Sequence, residues 1–224
     1  MNANIIAFHG WGCEASVWTA LRSELPESIQ FTAADRGYFG RPNRPDSFPT
    51  NALPNLLITH SMGLLWCPAA LMEQADGVVI ISGFKAFIDE AVTSGSSSRR
   101  VLDRMVRKLD EQPGQVLSDF LSRAWYPDPC QTDIPEPIEI NRIRNDLFML
   151  RDEPARLSRL KAAPALILHG AEDAIVSPNH TQRFEAELHP NSSYFVHPLA
   201  GHMLPVSHPV WCAEKITQWM ESIS

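Results

Sequence analysis

The 224 residues, 44% hydrophobic and 20% charged with a net charge of −7, have the profile of one ordinary globular domain long enough to bury a sizeable core. The longest apolar runs are of strand length, which excludes a membrane-spanning segment, and the acidic balance argues against general nucleic-acid binding. Cys13, Cys67, Cys130 and Cys212 are far apart and lack metal-ligand spacing, and no signal peptide opens the chain, so reduced thiols in a cytoplasmic protein are expected.

The chain begins with a buried strand over Asn4–Phe8, followed by His9-Gly10-Trp11-Gly12, where glycines let the backbone turn and approach a ligand. A helix fits Ala15–Leu25, with Val17, Trp18, Leu21 and Leu25 on one face. Gln30–Ala34 is a short strand ending at Asp35, and residues 41–54, rich in Pro and Asn, form a surface connection. Leu56-Leu57-Ile58 is the next strand. A helix-compatible run continues from Leu64 to about Glu73, in which Pro68 predicts a kink or broken turn. Gly77–Ser82 is another continuously apolar strand. Strands of this kind alternating with helices argue for a parallel sheet covered on both faces.

From residue 84 to 163 the pattern changes to helices only, expected at Ser98–Glu111, Gln115–Trp125, Ile138–Leu150 and Pro154–Leu160, with a Pro-rich loop over Tyr126–Pro137. This segment holds 13 of the 19 Lys and Arg, yet is neutral because it also holds 13 of the 26 Asp and Glu. It divides the chain into a core of residues 1–83 and 164–224 and an inserted helical lid of residues 84–163. The sheet resumes at Ala165–Leu168, followed by His169-Gly170-Ala171-Glu172-Asp173. Ser193–His197 is the last strand, followed by Leu199-Ala200-Gly201-His202, and Val210–Ile223 is a closing helix.

Between the third strand and its helix stands Thr59-His60-Ser61-Met62-Gly63. A serine at the apex of a sharp strand-to-helix turn is the nucleophile elbow of serine hydrolases, and its neighbours must be small. Gly63 meets that demand; Thr59 is larger than the usual glycine. A serine hydroxyl needs an imidazole to take its proton and a carboxylate to orient the imidazole. Ser61, Asp173 and His202 each follow a strand and occur in the order expected on a doubly wound sheet, whose ligands bind at the carboxyl ends of the strands. Asp173 also suits a plain turn, with Glu172 beside it, and His202 competes with His197 and His208. His9 and His60 are assigned to shaping the two turns. The backbone N–H groups of Trp11 and Met62 are placed to hold an oxyanion. The eight histidines show no metal-ligand pattern.

Taken together, these motifs, including Asp35 with the Gly37–Gly40 loop, resemble the α/β-hydrolase superfamily. Within it the chain is most similar to the compact carboxylesterases that hydrolyse pimeloyl-acyl-carrier-protein methyl ester in biotin synthesis. The specific points are His9-Gly10-Trp11-Gly12, a four-helix lid, Phe120-Leu121 within it, and the spacing from the last strand through His202 to Ser207-His208-Pro209. Thr59 at the elbow, Leu64 after it, a reduced N-terminal hairpin and few arginines around Phe120 depart from the pattern. The resemblance implies an α/β-hydrolase fold with a mostly parallel sheet. It also implies a substrate site lined by Trp11, Ser61, Met62, Phe120, Leu121 and His202, and no cofactor. Arg123, Arg142 and Arg144 would dock an acidic carrier protein.

The expected function is therefore a monomeric serine carboxylesterase acting on an acyl methyl ester carried by acyl carrier protein. A short-chain esterase, thioesterase or C–C hydrolase or lyase of the same fold is the alternative, because fold does not select among these chemistries. A silent hydrolase-fold binding protein is disfavoured by the complete Ser61, Asp173 and His202 set.

Overall fold

A computed structural model of the protein describes residues 2–88, 95–131, 133–160, 163–185, 188 and 190–223. Six strands form one sheet: β1 (Asn4–Phe8), β2 (Gln30–Ala33), β3 (Asn55–His60), β4 (Gly77–Ile81), β5 (Ala165–Gly170) and β6 (Ser193–His197). They lie in the order β2-β1-β3-β4-β5-β6, and every pairing is parallel. The chain runs outward from β1 to β2, returns past β1 to β3, and then proceeds to β6. Connections therefore diverge between β1 and β3, which opens a crevice at their carboxyl ends.

Side chains alternate across a strand, so the apolar runs feed two cores. Ile6, Phe8, Leu57, Val78, Ile80 and Ile167 face one cluster, and Ile5, Ala7, Leu56, Ile58, Val79, Ile81, Leu166 and Leu168 face the other. The second is closed by α1 (Thr19–Glu24), which follows a 3₁₀ turn at Ala15–Trp18, and by α9 (Pro209–Ser222). Burying each such Leu or Ile is worth about 1.5–3 kcal/mol, so the two-sided sheet is the main source of stability.

The break expected at Pro68 is present. The elbow helix α2 (Gly63–Trp66) stops after one turn, Cys67 and Pro68 are extended, and α3 (Ala69–Gln74) starts afresh. Between β4 and β5 lie α4 (Gly95–Lys108), α5 (Pro113–Trp125) and α6 (Ile140–Asp152), with no strand among the described residues. The fourth helix expected at Pro154–Leu160 is only a 3₁₀ turn, Leu157–Arg159. Pro154 holds Glu153 extended (φ −115°, ψ 129°), and the Ala155 N–H donates to Lys85 O at 2.5 Å rather than into a helix. His169 and Gly170, expected beyond a strand ending at Leu168, are its last two residues. Helices α7 (Pro178–Glu185) and α8 (Leu204–Ser207) were not expected, the latter being a single turn with Pro205 inside it.

Candidate active site

Ser61 follows β3 directly and has φ 54°, in the left-handed region that side chains avoid. Its N–H donates to Ile81 O at 2.9 Å, which pins the turn to β4. Two glycines make room for this conformation. A Cβ on Gly63 would stand 2.3 Å from Phe8 O and 3.2 Å from the Thr59 Cβ. Thr59 is tolerated because Gly63 leaves space beside it, and the Thr59 hydroxyl donates to Val79 O at 3.4 Å. A Cβ on Gly10 would stand 2.9 Å from the Ser61 Cβ and 3.4 Å from its Oγ. The turn after β1 therefore rests directly on the serine, across the crevice where the connections diverge.

His9 is fully buried and acts within that turn. Its Nε2 accepts the Arg36 N–H at 3.0 Å, which leaves Nδ1 to donate to Gly10 O at 2.8 Å. Burial pushes its imidazole below the ordinary range, partly offset by the Gly10 hydrogen bond. Trp11 donates from its indole Nε1 to Ile143 O at 3.0 Å on α6 and sets its ring edge-on to Phe120, centroids 4.9 Å apart.

Asp173, on the loop after β5, has every acceptor position occupied. Oδ1 takes the N–H groups of Ile175 and Val176, both at 2.8 Å, while Oδ2 is 2.7 Å from His202 Nδ1 and 3.3 Å from His169 Nε2. Burial pushes this carboxyl up, but the charge of His202 and the hydrogen bonds from His169 and His202 prevail and hold it well below the usual carboxylate range. With Nδ1 donating to a carboxylate, a neutral His202 presents a bare Nε2, the form that accepts a proton. Nε2 is buried and has no protein partner among the described residues, including Ser61 Oγ. The His202 loop is tied to the elbow from the other side, where His60 Nε2 lies 3.0 Å from His202 O. Burial, then the neighbouring His202, push the His60 imidazole down to about 3, so it is neutral and its Nε2–H donates. His197 and His208 lie against each other with tilted rings, centroids 4.2 Å apart, and their hydrogen bonds go elsewhere than to Asp173.

Ser61 opens into a cavity of about 390 Å³ between the sheet and helices α4, α5 and α6. Trp11, Phe87, Leu102, Met105, Phe120, Leu147 and Ile175 supply apolar walls; its exposed lining residues are Val101, Arg104, Lys108, Asp119 and Arg123. Of the expected substrate residues, Trp11, Ser61 and Phe120 line this space, whereas Met62 and His202 lie beneath it in the packed core. Leu121 belongs elsewhere: it packs in the opposite cluster and borders a separate depression with Gly12, Trp125 and Met203. Consecutive helical residues point about 100° apart, so Phe120 and Leu121 do not share a wall. Arg142 and Arg144 are held within the chain, by Gly37 O and by Asp110, while Arg123 donates to Ala174 O at 3.0 Å beside the cavity. Arg104 and Lys108 were not singled out in the sequence; their i, i+4 spacing on an amphipathic helix was the available signal.

The chain is similar in sequence to the pimeloyl-[acyl-carrier protein] methyl ester esterases of Pectobacterium atrosepticum (23% identical, covering 99% of this chain and 95% of that one) and Legionella pneumophila (25%, 91% and 89%). Its fold is similar to that of a thermophilic esterase from Thermogutta terrifontis (TM-score 0.73, 20% identical, 100% and 91% covered) and a bromoperoxidase from Bacillus anthracis (TM-score 0.77, 16%, 99% and 92%). A profile described as the Alpha/beta hydrolase family matches residues 5–215, which include the elbow, Asp173 and His202, and the chain belongs to that family.

Proposed function

We propose that this protein is a serine carboxylesterase that hydrolyses an acyl methyl ester presented on acyl carrier protein, as the names of its relatives state for them. The observation that carries the reading is Ser61, held at φ 54° and opening into a cavity with apolar walls, next to a loop whose histidine donates to a buried carboxylate. His202 Nε2 takes the Ser61 proton as Oγ attacks the ester carbonyl. The N–H groups of Met62 and Trp11 receive the oxyanion, and Asp173 stabilises the imidazolium. Collapse of the tetrahedral adduct expels the alcohol, which leaves with the proton from His202. A water deprotonated by His202 then attacks the acyl-enzyme, and the acid departs as Ser61 regains its proton.

The acyl chain lies along Phe120, Leu102, Met105 and Leu147, and helices α4 to α6 act as the lid over it. Arg104, Lys108 and Arg123 meet the acidic carrier at the exposed end. Arg142 and Arg144, engaged with Gly37 and Asp110, are less exposed than Arg123, whose side chain faces solvent although its Nε donates to Ala174 O.

The test is growth without biotin of a bacterium lacking its own pimeloyl-methyl-ester esterase, with purified protein assayed in parallel on p-nitrophenyl esters and with a fluorophosphonate probe. Wild type rescues growth and is labelled at Ser61, while Ser61→Ala does neither and loses at least about 10³-fold in ester hydrolysis. Ester hydrolysis and labelling without rescue would keep the esterase and exclude the carrier-bound pimeloyl ester. An unlabelled Ser61 in folded protein would exclude the esterase itself.

A further inference from the structure

His169 was read in the sequence only as part of a strand-end motif, and the mechanism above does not use it. It is fully buried at the end of β5, and its partners fix its protonation state. Nε2 faces two acceptors, Val176 O at 2.8 Å and Asp173 Oδ2 at 3.3 Å, so it carries a hydrogen. Nδ1 is 2.9 Å from the Thr181 hydroxyl, and that hydroxyl is 2.7 Å from Gly83 O. Two oxygens at 2.7 Å need a proton between them, and Gly83 O has none to give, so the single hydroxyl proton points there. The Thr181 oxygen is left as an acceptor toward Nδ1, and Nδ1 must also carry a hydrogen. Both ring nitrogens are then protonated.

We infer that His169 is a buried imidazolium and a positioning residue: it shares the Asp173 carboxylate with His202 and sets how strongly that carboxylate draws a proton to His202. This rests on the Ser61–His202–Asp173 reading above. The charged and titratable groups around the carboxylate are His202 across it, the neutral His60 beyond His202, and Arg123 on α5, whose Nε donates to Ala174 O on the same loop. Among these described groups, Asp173 supplies the compensating negative charge. With one carboxylate between two rings, a cation at His169 opposes a second cation at His202. The bare, proton-accepting form of His202 therefore persists to lower pH than a lone Asp–His pair would allow.

The test begins with the wild-type protein labelled with ¹⁵N-histidine. At neutral pH the His169 ring, assigned by its loss in His169→Gln, shows two protonated nitrogens; one bare nitrogen there overturns the inference without reference to activity. The second readout is the pH dependence of kcat/KM for a p-nitrophenyl ester. His169→Gln keeps a donor toward Asp173 and removes the charge, and Thr181→Val removes the acceptor that keeps Nδ1 protonated. Both move the acid limb to higher pH, by about one unit. A fall in the plateau rate with the acid limb unmoved would mean that His169 is only structural. Asp173→Asn at wild-type rate would instead overturn the triad, whatever the spectrum of His169.

Discussion

Arg36 grips the buried carboxylate of Asp146 with two nitrogens, Nε at 2.7 Å and Nη2 at 2.5 Å, and the Tyr38 hydroxyl donates to the same carboxylate at 2.6 Å. The backbone of Arg36 meanwhile donates to His9, so one residue joins α6 to the turn that rests on Ser61. Breaking a buried ion pair by removing one partner strands the other charge. Arg36→Ala is expected to lower stability by about 3–5 kcal/mol in urea unfolding, and Arg36→Lys to restore only part, because a lysine cannot grip both oxygens. An Arg36→Ala cost below about 1 kcal/mol, the range of surface pairs, would mean that α6 is held in place without this ion pair.

The elbow, the Asp173 turn and Gly201-His202 were legible because each is a short local pattern at a strand end. The Arg36–Asp146 pair was not: its partners are 110 residues apart in sequence, and Asp146 sits on the apolar face of α6 between Ile143 and Leu147, where periodicity predicts only core. Leu121 was misplaced for the opposite reason. A dipeptide motif carries two residues along together, and a helix separates them. Pro154–Leu160 has helical spacing, but the backbone pairing of Ala155 with residue 85 is tertiary and leaves no trace in the periodicity.

Gly63→Ala tests how closely the elbow is packed. Its Cβ would fall 2.3 Å from a β1 backbone oxygen, which cannot yield as a flexible side chain would. The variant is expected to lose ester hydrolysis by at least about 10²-fold even where it folds, because a displacement of 1 Å at the serine costs that much. Thr59→Gly, by contrast, removes a buried side chain with its hydroxyl bond to Val79 O and adds backbone freedom in a strand, so it lowers stability by more than the roughly 0.5–1 kcal/mol that glycine costs relative to alanine, and leaves the rate on a simple ester within a few-fold. Equal losses in the two variants would mean that Thr59 also shapes the turn.

Acid should destabilise the protein through His60. Burial and the adjacent His202 push its imidazole from 6.5 down to about 3, so below pH 6.5 the unfolded chain binds a proton that the native state refuses. Stability contributed by the neutral ring is complete above pH 6.5 and is lost as pH falls toward 3, with a slope of about 1.4 kcal/mol per pH unit. Asp173 adds a loss of the same sign only below its ordinary 3.8, because its native carboxyl resists protonation. In urea unfolding between pH 6 and 4, His60→Gln should flatten the pH dependence by about that slope, whatever its own cost at neutral pH. An unchanged slope would show that His60 titrates normally in the folded protein.

The basic residues at the open end of the cavity should act on encounter rather than on chemistry. Arg104, Lys108 and Arg123 are exposed and line the same space as Ser61, with Arg123 donating from Nε to Ala174 O. Exposed charges speed the docking of an oppositely charged partner and are screened within about 10 Å at 0.1 M salt. Replacing all three with glutamine should lower kcat/KM for a carrier-bound ester by about tenfold or more at low ionic strength, with little effect near 1 M salt. It should leave kcat/KM for p-nitrophenyl acetate unchanged, since that substrate is neutral and small. Equal losses on both substrates would place the three side chains in the packing of α4 and α5 instead. The corresponding Arg142→Gln and Arg144→Gln variants separate docking from architecture, because their partners are Gly37 O and Asp110 and any loss they cause should be insensitive to the carrier.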